Sequence, residues 1–231
     1  MIPLRDSVRP RKYPFMNNLF IVANIAVFAY QLGMGQEQLL QFYQDFGVIP
    51  QRFFALAGEP FNPQLWLPLF SSMFMHGGWL HLLGNMLYLW VFGDNVEDRF
   101  GHTGYILFYL FSGVAASLVH ITMNPLSPVP TIGASGAVAG VLGAYLVLFP
   151  RARILTLVPI GFFLTTIHLP ATLFLFFWFF MQLLNAGLLA GAAASAQAVA
   201  WWAHIGGFIT GFFAGAVLAI LERTRRNNRG G

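Results

Sequence analysis

Residues 131–145 read TIGASGAVAGVLGAY. Ser135 stands there among glycines and alanines, where a short loop turns into an apolar helix. Two readings compete. The small residues let neighbouring helices pack closely, or the serine is placed to be reached by a reactant.

The surroundings decide what kind of helix this is. The chain has 231 residues, 57% hydrophobic and only 9% charged, where a soluble domain carries about a quarter charged residues. The charges gather near the two ends and in short segments, and the runs between them are apolar enough to sit in lipid. This is the composition of a multi-span membrane protein with little soluble mass. The net charge of +4 then needs no nucleic acid to explain it, since basic residues belong on cytoplasmic loops. With no cysteine, disulfide and thiolate chemistry are excluded.

A span needs about 20 apolar residues. Six are predicted, near 16–34, 78–96, 104–123, 135–150, 168–189 and 200–221. Residues 1–15 read as a cytoplasmic tail without a cleavable signal pattern, and 222–231 as a basic tail. Residues 154–167, ILTLVPIGFFLTTI, are apolar but broken by Pro159 and Gly161, and are expected to lie at the interface. Six spans put both ends on one side. That side holds Arg5, Arg9, Arg11, Lys12, Arg99, Arg151, Arg153, Arg223, Arg225, Arg226 and Arg229, and the other holds only Arg52. By the positive-inside rule both termini are cytoplasmic. The long external segment 35–77 is aromatic and amphipathic, and is expected to be partly membrane-embedded.

Polar side chains inside spans are costly, so they are the first functional candidates. His81 and Asn85 lie four apart on one face of the second span, with His76 just ahead; Ser135 opens the fourth; His204 lies near the start of the sixth. Even-numbered spans all run inward, so His81, Asn85, Ser135 and His204 share a depth a little below the external surface. Asn17 and Asn18 read as interfacial, and the run LFLFFWFFM at 173–181 as lipid-facing bulk. The fourth span, sixteen residues long, gives about 24 Å of helix, short of a hydrocarbon core of about 30 Å. If Pro150-Arg151 marks its cytoplasmic end, Ser135 begins below the outer surface and the loop NPLSPVPTIGA must dip inward. Irregular backbone at that depth must be buried in protein or line a wet cavity. A watered recess with a serine at its floor is what hydrolysis within a membrane requires.

Gly136 with Gly140, and Gly207 with Gly211, form small-xxx-small pairs that ordinarily serve helix packing. A lone membrane histidine is ordinarily a bundle-facing hydrogen-bonder, and His102, His120 and His168 are read so. Packing alone leaves unexplained why one serine, two histidines and one asparagine share a depth.

The motifs HGGWLHLLGN (76–85), GASG (133–136), AHIGGFITG (203–211) and FGDNVEDRFG (92–101, with Gly93 and Glu97) resemble those of the rhomboid family of intramembrane serine proteases, in the bacterial six-span type. The resemblance runs in order over about 76–215. It implies an all-α bundle of six transmembrane helices and a serine–histidine dyad. Ser135 would be the nucleophile and His204 the general base, later the acid. His81, Asn85 and the Ser135 backbone N–H would hold the oxyanion, and Gly133, Gly136, Gly140, Gly207 and Gly211 would pack the helices. No carboxylate in span six offers a third triad member, and neither metal nor cofactor is implied.

Two positions depart from patterns some members carry. Trp66 is followed by Leu67-Pro68 rather than arginine, and Ala139 stands where an aromatic stacks under the histidine. His204 must then be supported otherwise, by Trp201, Trp202 or a neighbouring span. The implied partners are membrane lipid and transmembrane protein substrates, cut near their external ends where the helix is weak, with span five and residues 190–200 forming the entrance. The implied place is a bacterial inner membrane, with the site open to the periplasmic side. A catalytically silent, client-binding relative is the competing reading. A small transporter is disfavoured, because the spans hold no charge at mid-depth and no repeated halves.

Overall fold

The computed structural model describes residues 1–161, 163–188 and 200–230. Along the chain run β1 (Ile2–Asp6), α1 (Phe15–Leu32), α2 (Gln36–Phe46), α3 (Pro50–Ala55), α4 (Pro63–Ser71), α5 (Trp79–Phe100), α6 (His102–Met123), α7 (Ser135–Leu148), β2 (Arg153–Ile160), β3 (Phe163–Pro170), α8 (Ala171–Leu188) and α9 (Trp201–Gly230). Among the described residues, Phe15–Leu32, His102–Met123 and Trp201–Asn228 are long and apolar enough to cross a membrane; Ser135–Leu148 and Ala171–Ala186 are shorter apolar helices. Helix α5 has the length, but Asp94, Glu97, Asp98 and Arg99 occupy its last two turns.

Helix α7 is the axis of the bundle. It is apolar all round, as a helix buried on every side must be, and residues 136–145 are all buried. It packs against α5, α6, α8 and α9. It stops at Leu148 because Phe149 precedes Pro150, which disfavours helical backbone in the residue before it. The crossing with α9 is close enough to need glycine on both sides. A Cβ on Gly207 would lie 2.0 Å from Gly136 O, and one on Gly211 1.8 Å from Gly140 O. On the α7 side, a Cβ on Gly143 would lie 2.1 Å from Phe208 O. The small-residue pattern is therefore a backbone-to-backbone seam.

Helix α1 is tied to α5 and α6 by polar groups. The buried Glu97 carboxylate accepts from the Met16 and Asn17 N–H groups at 3.0 and 2.7 Å, capping the free amides at the start of α1. Asn17 donates to Leu89 O at 3.0 Å and accepts from Tyr105 Oη at 2.8 Å. Gly93 makes room for it, since a Cβ there would sit 2.0 Å from Asn17 Oδ1. Asn17, expected at the interface, is thus a buried cross-brace, and FGDNVEDRFG is the half of the brace carried by α5.

The all-α expectation needs a correction. Residues 2–6, 153–160 and 163–170 form an antiparallel sheet in the order β1-β2-β3. Strand β2 pairs with β3 from Arg153↔Pro170 to Ile160↔Phe163, and with β1 from Asp6↔Ile154 to Ile2↔Leu157, with a bulge between Pro3 and Arg5. The β-branched residues of RILTLVPI and FLTTIHLP favour strand, and Gly161, at φ 60°, supplies the positive φ of a tight hairpin. Pro159 is tolerated because it lies beyond the reach of β1, where β2 has one neighbour. The 1–15 segment is therefore docked rather than a free tail. Tyr145 Oη donates to Asp6 Oδ2, and Asn95 Nδ2 donates to the same oxygen at 2.9 Å. Burial pushes the Asp6 carboxyl up, against the lowering effect of the Tyr145 bond. At the other end, α9 continues through residues 222–230 of the expected tail. Arg99 pairs there with Glu222 and also donates to Leu148 O at 3.3 Å, closing the C-terminal end of α7.

The 35–77 segment is built from α2, α3, α4 and a 3-10 turn at Ser72–Phe74. Gln31 anchors its end: its amide donates to His76 O at 2.9 Å and accepts from His76 N–H at 3.0 Å.

Candidate functional site

Ser135 is the first residue of α7. Val138 N–H is bonded to Ala134 O at 2.9 Å, and no side chain caps the helix start. Within the helix the Ser135, Gly136 and Ala137 N–H groups have no carbonyl to bond, as at any helix N-terminus. They point where the macrodipole is positive.

The loop before α7 is irregular and held by protein on three sides. Thr131 exchanges both backbone hydrogen bonds with Val48, at 3.0 and 2.8 Å; Gly133 N–H donates to Ser72 O at 2.9 Å; and Thr131 Oγ1 lies 2.9 Å from His120 Nε2. Beneath it a cavity of about 20 Å³ is lined by Ser72, Ser117, Thr131, Gly133, Ser135 and Ala203, among others. That volume holds about one water, and its walls carry the polar groups a water needs.

His81 stands over the serine. A Cβ on Gly133 would lie 2.6 Å from His81 Nε2 and 3.7 Å from Ser135 Oγ. Gly133, expected among the helix-packing glycines, lies outside the helices; its φ of 125° and the imidazole above it both exclude a side chain. Gly77 N–H donates to His81 Nδ1 at 3.3 Å. A backbone N–H can only donate, so Nδ1 accepts and neutral His81 carries its proton on Nε2, facing Gly133 and Ser135. Asn85 follows one turn later, buried, and donates to His81 O at 2.9 Å.

His204 is buried on α9. The next residue back, Ala203, lines the same cavity as Ser135, and the α7–α9 seam begins one turn further on, at Gly207. Ser135 Oγ and His204 are not hydrogen-bonded to each other here, a bond that in resting enzymes is often long and tightens with substrate. The imidazole is framed by two indoles. Trp178 of α8 lies at 5.9 Å and 33°, and Trp201 meets it edge-on at 6.0 Å and 88°. An aromatic at position 139 has no room, since Ala139 is fully buried and a Cβ on Gly207 would already come within 3.3 Å of its Cβ.

One residue that sequence reasoning passed over also touches the imidazole. Gln182 Oε1 lies 2.8 Å from His204 Nδ1. As an uncharged polar residue inside a predicted span it met the criterion that picked out Asn85, but it sits beside the Phe-rich run read as lipid-facing. Part of that run does face outward, as Leu173, Phe176 and Phe180 do; Phe174 and Leu175 face in, as does Gln182 just beyond it. Of the remaining histidines, His102 pairs with Glu97 and His168 lies on β3 opposite Leu155. Residues 190–199, part of the expected entrance, lie outside the described residues.

The arrangement offers a hydroxyl at a helix start, free amides and an imidazole N–H beside it, and a second imidazole on the adjoining helix. Residues 62–220 match the Rhomboid domain. The chain is 35% identical over 156 residues to Rhomboid protease GluP of Bacillus subtilis (strain 168), covering 67% of this chain and 26% of that protein. It is 38% identical over 96 residues to the mitochondrial Rhomboid protein 1 of Saccharomyces cerevisiae, covering 40% and 28%. With RHOMBOID-like protein 1 of Arabidopsis thaliana it shares 29% over 248 residues, covering 95% and 59%. The chain thus spans only about a quarter to three fifths of these relatives' own lengths. With the family domain matched across residues 62–220, from α4 to α9, this membrane protein belongs to the rhomboid family.

Proposed function

We propose that the protein is an intramembrane serine endopeptidase acting through Ser135 and His204. The observation that carries this reading is the placing of Ser135 Oγ at the amide-rich start of α7, beside His81 Nε2, with the helix bearing His204 locked to α7 by glycines. Ser135 Oγ attacks the scissile carbonyl while His204 takes its proton. The oxyanion is held by the Ser135 N–H, His81 Nε2–H and Asn85, each positioned before the reaction. Collapse of the tetrahedral intermediate breaks the C–N bond, and the imidazolium returns the proton to the leaving amine. Water, activated by the same imidazole, then releases the acyl-enzyme.

In this reading six helices span the membrane with both termini in the cytoplasm, and the site opens to the external face of a bacterial inner membrane. The substrates are transmembrane segments with helix-weakening residues near the cut. The likeness to Rhomboid protease GluP favours this reading over a client-binding relative that does not cut. The test is co-reconstitution with a single-span substrate. Cleavage by wild type and none by Ser135→Ala is expected; equal cleavage by both would overturn the assignment of Ser135, and binding without cleavage by either would favour the client-binding reading.

A further inference from the structure

Gln182 is buried on α8 and both ends of its amide are engaged. Nε2 donates to Trp178 O, one turn back, at 3.1 Å, and Oε1 lies 2.8 Å from His204 Nδ1. The chemistry of these partners fixes every proton. A backbone carbonyl only accepts, so the Trp178 side must receive the NH2 group, which turns the amide oxygen toward His204. That oxygen only accepts, so Nδ1 must carry the imidazole hydrogen. A neutral imidazole has one N–H, so Nε2 is left with a bare lone pair. Among the described residues Nε2 has no hydrogen-bond partner of its own.

We propose that Gln182 is the positioning residue of the catalytic unit, holding His204 in its Nδ1–H tautomer with Nε2 free to take the Ser135 proton. The inference rests on the proteolytic reading above and deepens it. The role is the one a carboxylate plays in Ser-His-Asp triads, where the acid orients the imidazole and selects its tautomer. A carboxylate here would be an ion among Trp178, Phe208 and lipid-facing helices, costly to desolvate. A carboxamide supplies the acceptor without the charge. Trp178 serves twice, its carbonyl fixing the amide and its ring lying across the imidazole. His81 shows the opposite arrangement: there a backbone N–H holds Nδ1 as acceptor and leaves Nε2–H as donor. One imidazole is thus set as base and the other as hydrogen-bond donor, each by the partner of its Nδ1.

The experiment uses the full chain in micelles, labelled with 15N-histidine, as wild type, Gln182→Leu and Gln182→Glu. Long-range 1H–15N spectra read the His204 tautomer, assigned by its absence in His204→Ala. In parallel, kcat and KM are measured on a single-span substrate, with the rate of fluorophosphonate labelling at Ser135. Wild type should show Nδ1–H at His204. Gln182→Leu should lose that single tautomer and lower kcat and the labelling rate together, by at least about tenfold and within the 10²–10⁴ that a positioned general base supplies, with KM unchanged. Gln182→Glu, which keeps an acceptor oxygen at the same reach, should recover part of the rate.

A wild-type His204 protonated on Nε2 would overturn the proposal, as would Gln182→Leu at wild-type kcat and labelling rate. So would a Gln182→Leu that raises KM or melts early while keeping the Nδ1–H tautomer, since that is a mere tie between α8 and α9. If Gln182→Leu does not fold, the wild-type tautomer decides. Failure of the proteolytic reading is seen separately, as a wild type that neither cleaves nor labels at Ser135, and the tautomer shift on losing Gln182 is measured regardless.

Discussion

Replacing Gly211 by alanine adds one methyl group at the place where the structure leaves least room for it. The new Cβ would lie 1.8 Å from Gly140 O, 2.5 Å from its C and 2.7 Å from its Cα, all backbone atoms that cannot rotate away. Ordinary contact begins at 3.4 Å, so the two helices must part there by about 1.6 Å. Helix α7 is enclosed on every side, so α9 has to move. His204 lies seven residues from Gly211, about 10.5 Å along the same helix, so a rigid displacement carries the imidazole away from Ser135. A misplacement of about 1 Å in a catalytic group costs on the order of 10²-fold in rate; the packing strain itself costs about 1–3 kcal/mol. Cleavage of a co-reconstituted substrate should therefore fall by about two orders of magnitude, with a modest drop in melting temperature. Gly84→Ala is the control, because a Cβ there meets nothing within 4 Å, and it should cleave as wild type does. A Gly211→Ala enzyme at wild-type rate would refute the claim that the glycine seam sets the Ser135–His204 geometry.

Asn85→Ala should slow cleavage by about 10²–10³-fold, the usual cost of one oxyanion donor, while the melting temperature and Ser135 labelling stay largely intact; unfolding in detergent would make Asn85 a packing residue instead. The Asp6 carboxyl is raised by burial, so it contributes stability below its unfolded range near about 3.9 that is lost as pH rises through its folded value. Melting temperatures of wild type should accordingly decline relative to Asp6→Asn as pH climbs from about 4, and a difference independent of pH would contradict the buried docking of β1.

Much of this was legible in the sequence, for physical reasons that can be named. Small residues at every fourth position of α7 and α9 announced a close seam, because nothing but glycine lets backbones meet at that distance. The position of Ser135 at a loop-to-helix boundary announced free amides beside its hydroxyl. The length argument required the loop before Ser135 to be buried in protein or to line a cavity, and 124–134 is irregular backbone held by Val48, Ser72 and His120. What escaped was what long-range pairing decides. Residues 154–167 read as a broken apolar stretch at the interface because short apolar runs do not reveal their period, and the pairing of β2 with β3 and with Ile2–Asp6 is what makes strands of them. Asn17 looked interfacial because its partners, Leu89, Gly93 and Tyr105, come from two other helices. Gln182 hid beside a phenylalanine-rich run whose inward face cannot be told from its outward one without the neighbouring helices.

The measurement that bears most directly on the central claim is the covalent labelling of Ser135. Intact protein in detergent is treated with a fluorophosphonate, digested, and the modified peptide identified by mass spectrometry. Wild type should carry the adduct on Ser135 alone among its serines; His204→Ala should label at least about 10²-fold more slowly, the lower bound for losing a general base, at an unchanged melting temperature. An adduct spread over several serines, or labelling of Ser135 that is indifferent to the loss of His204, would contradict the dyad.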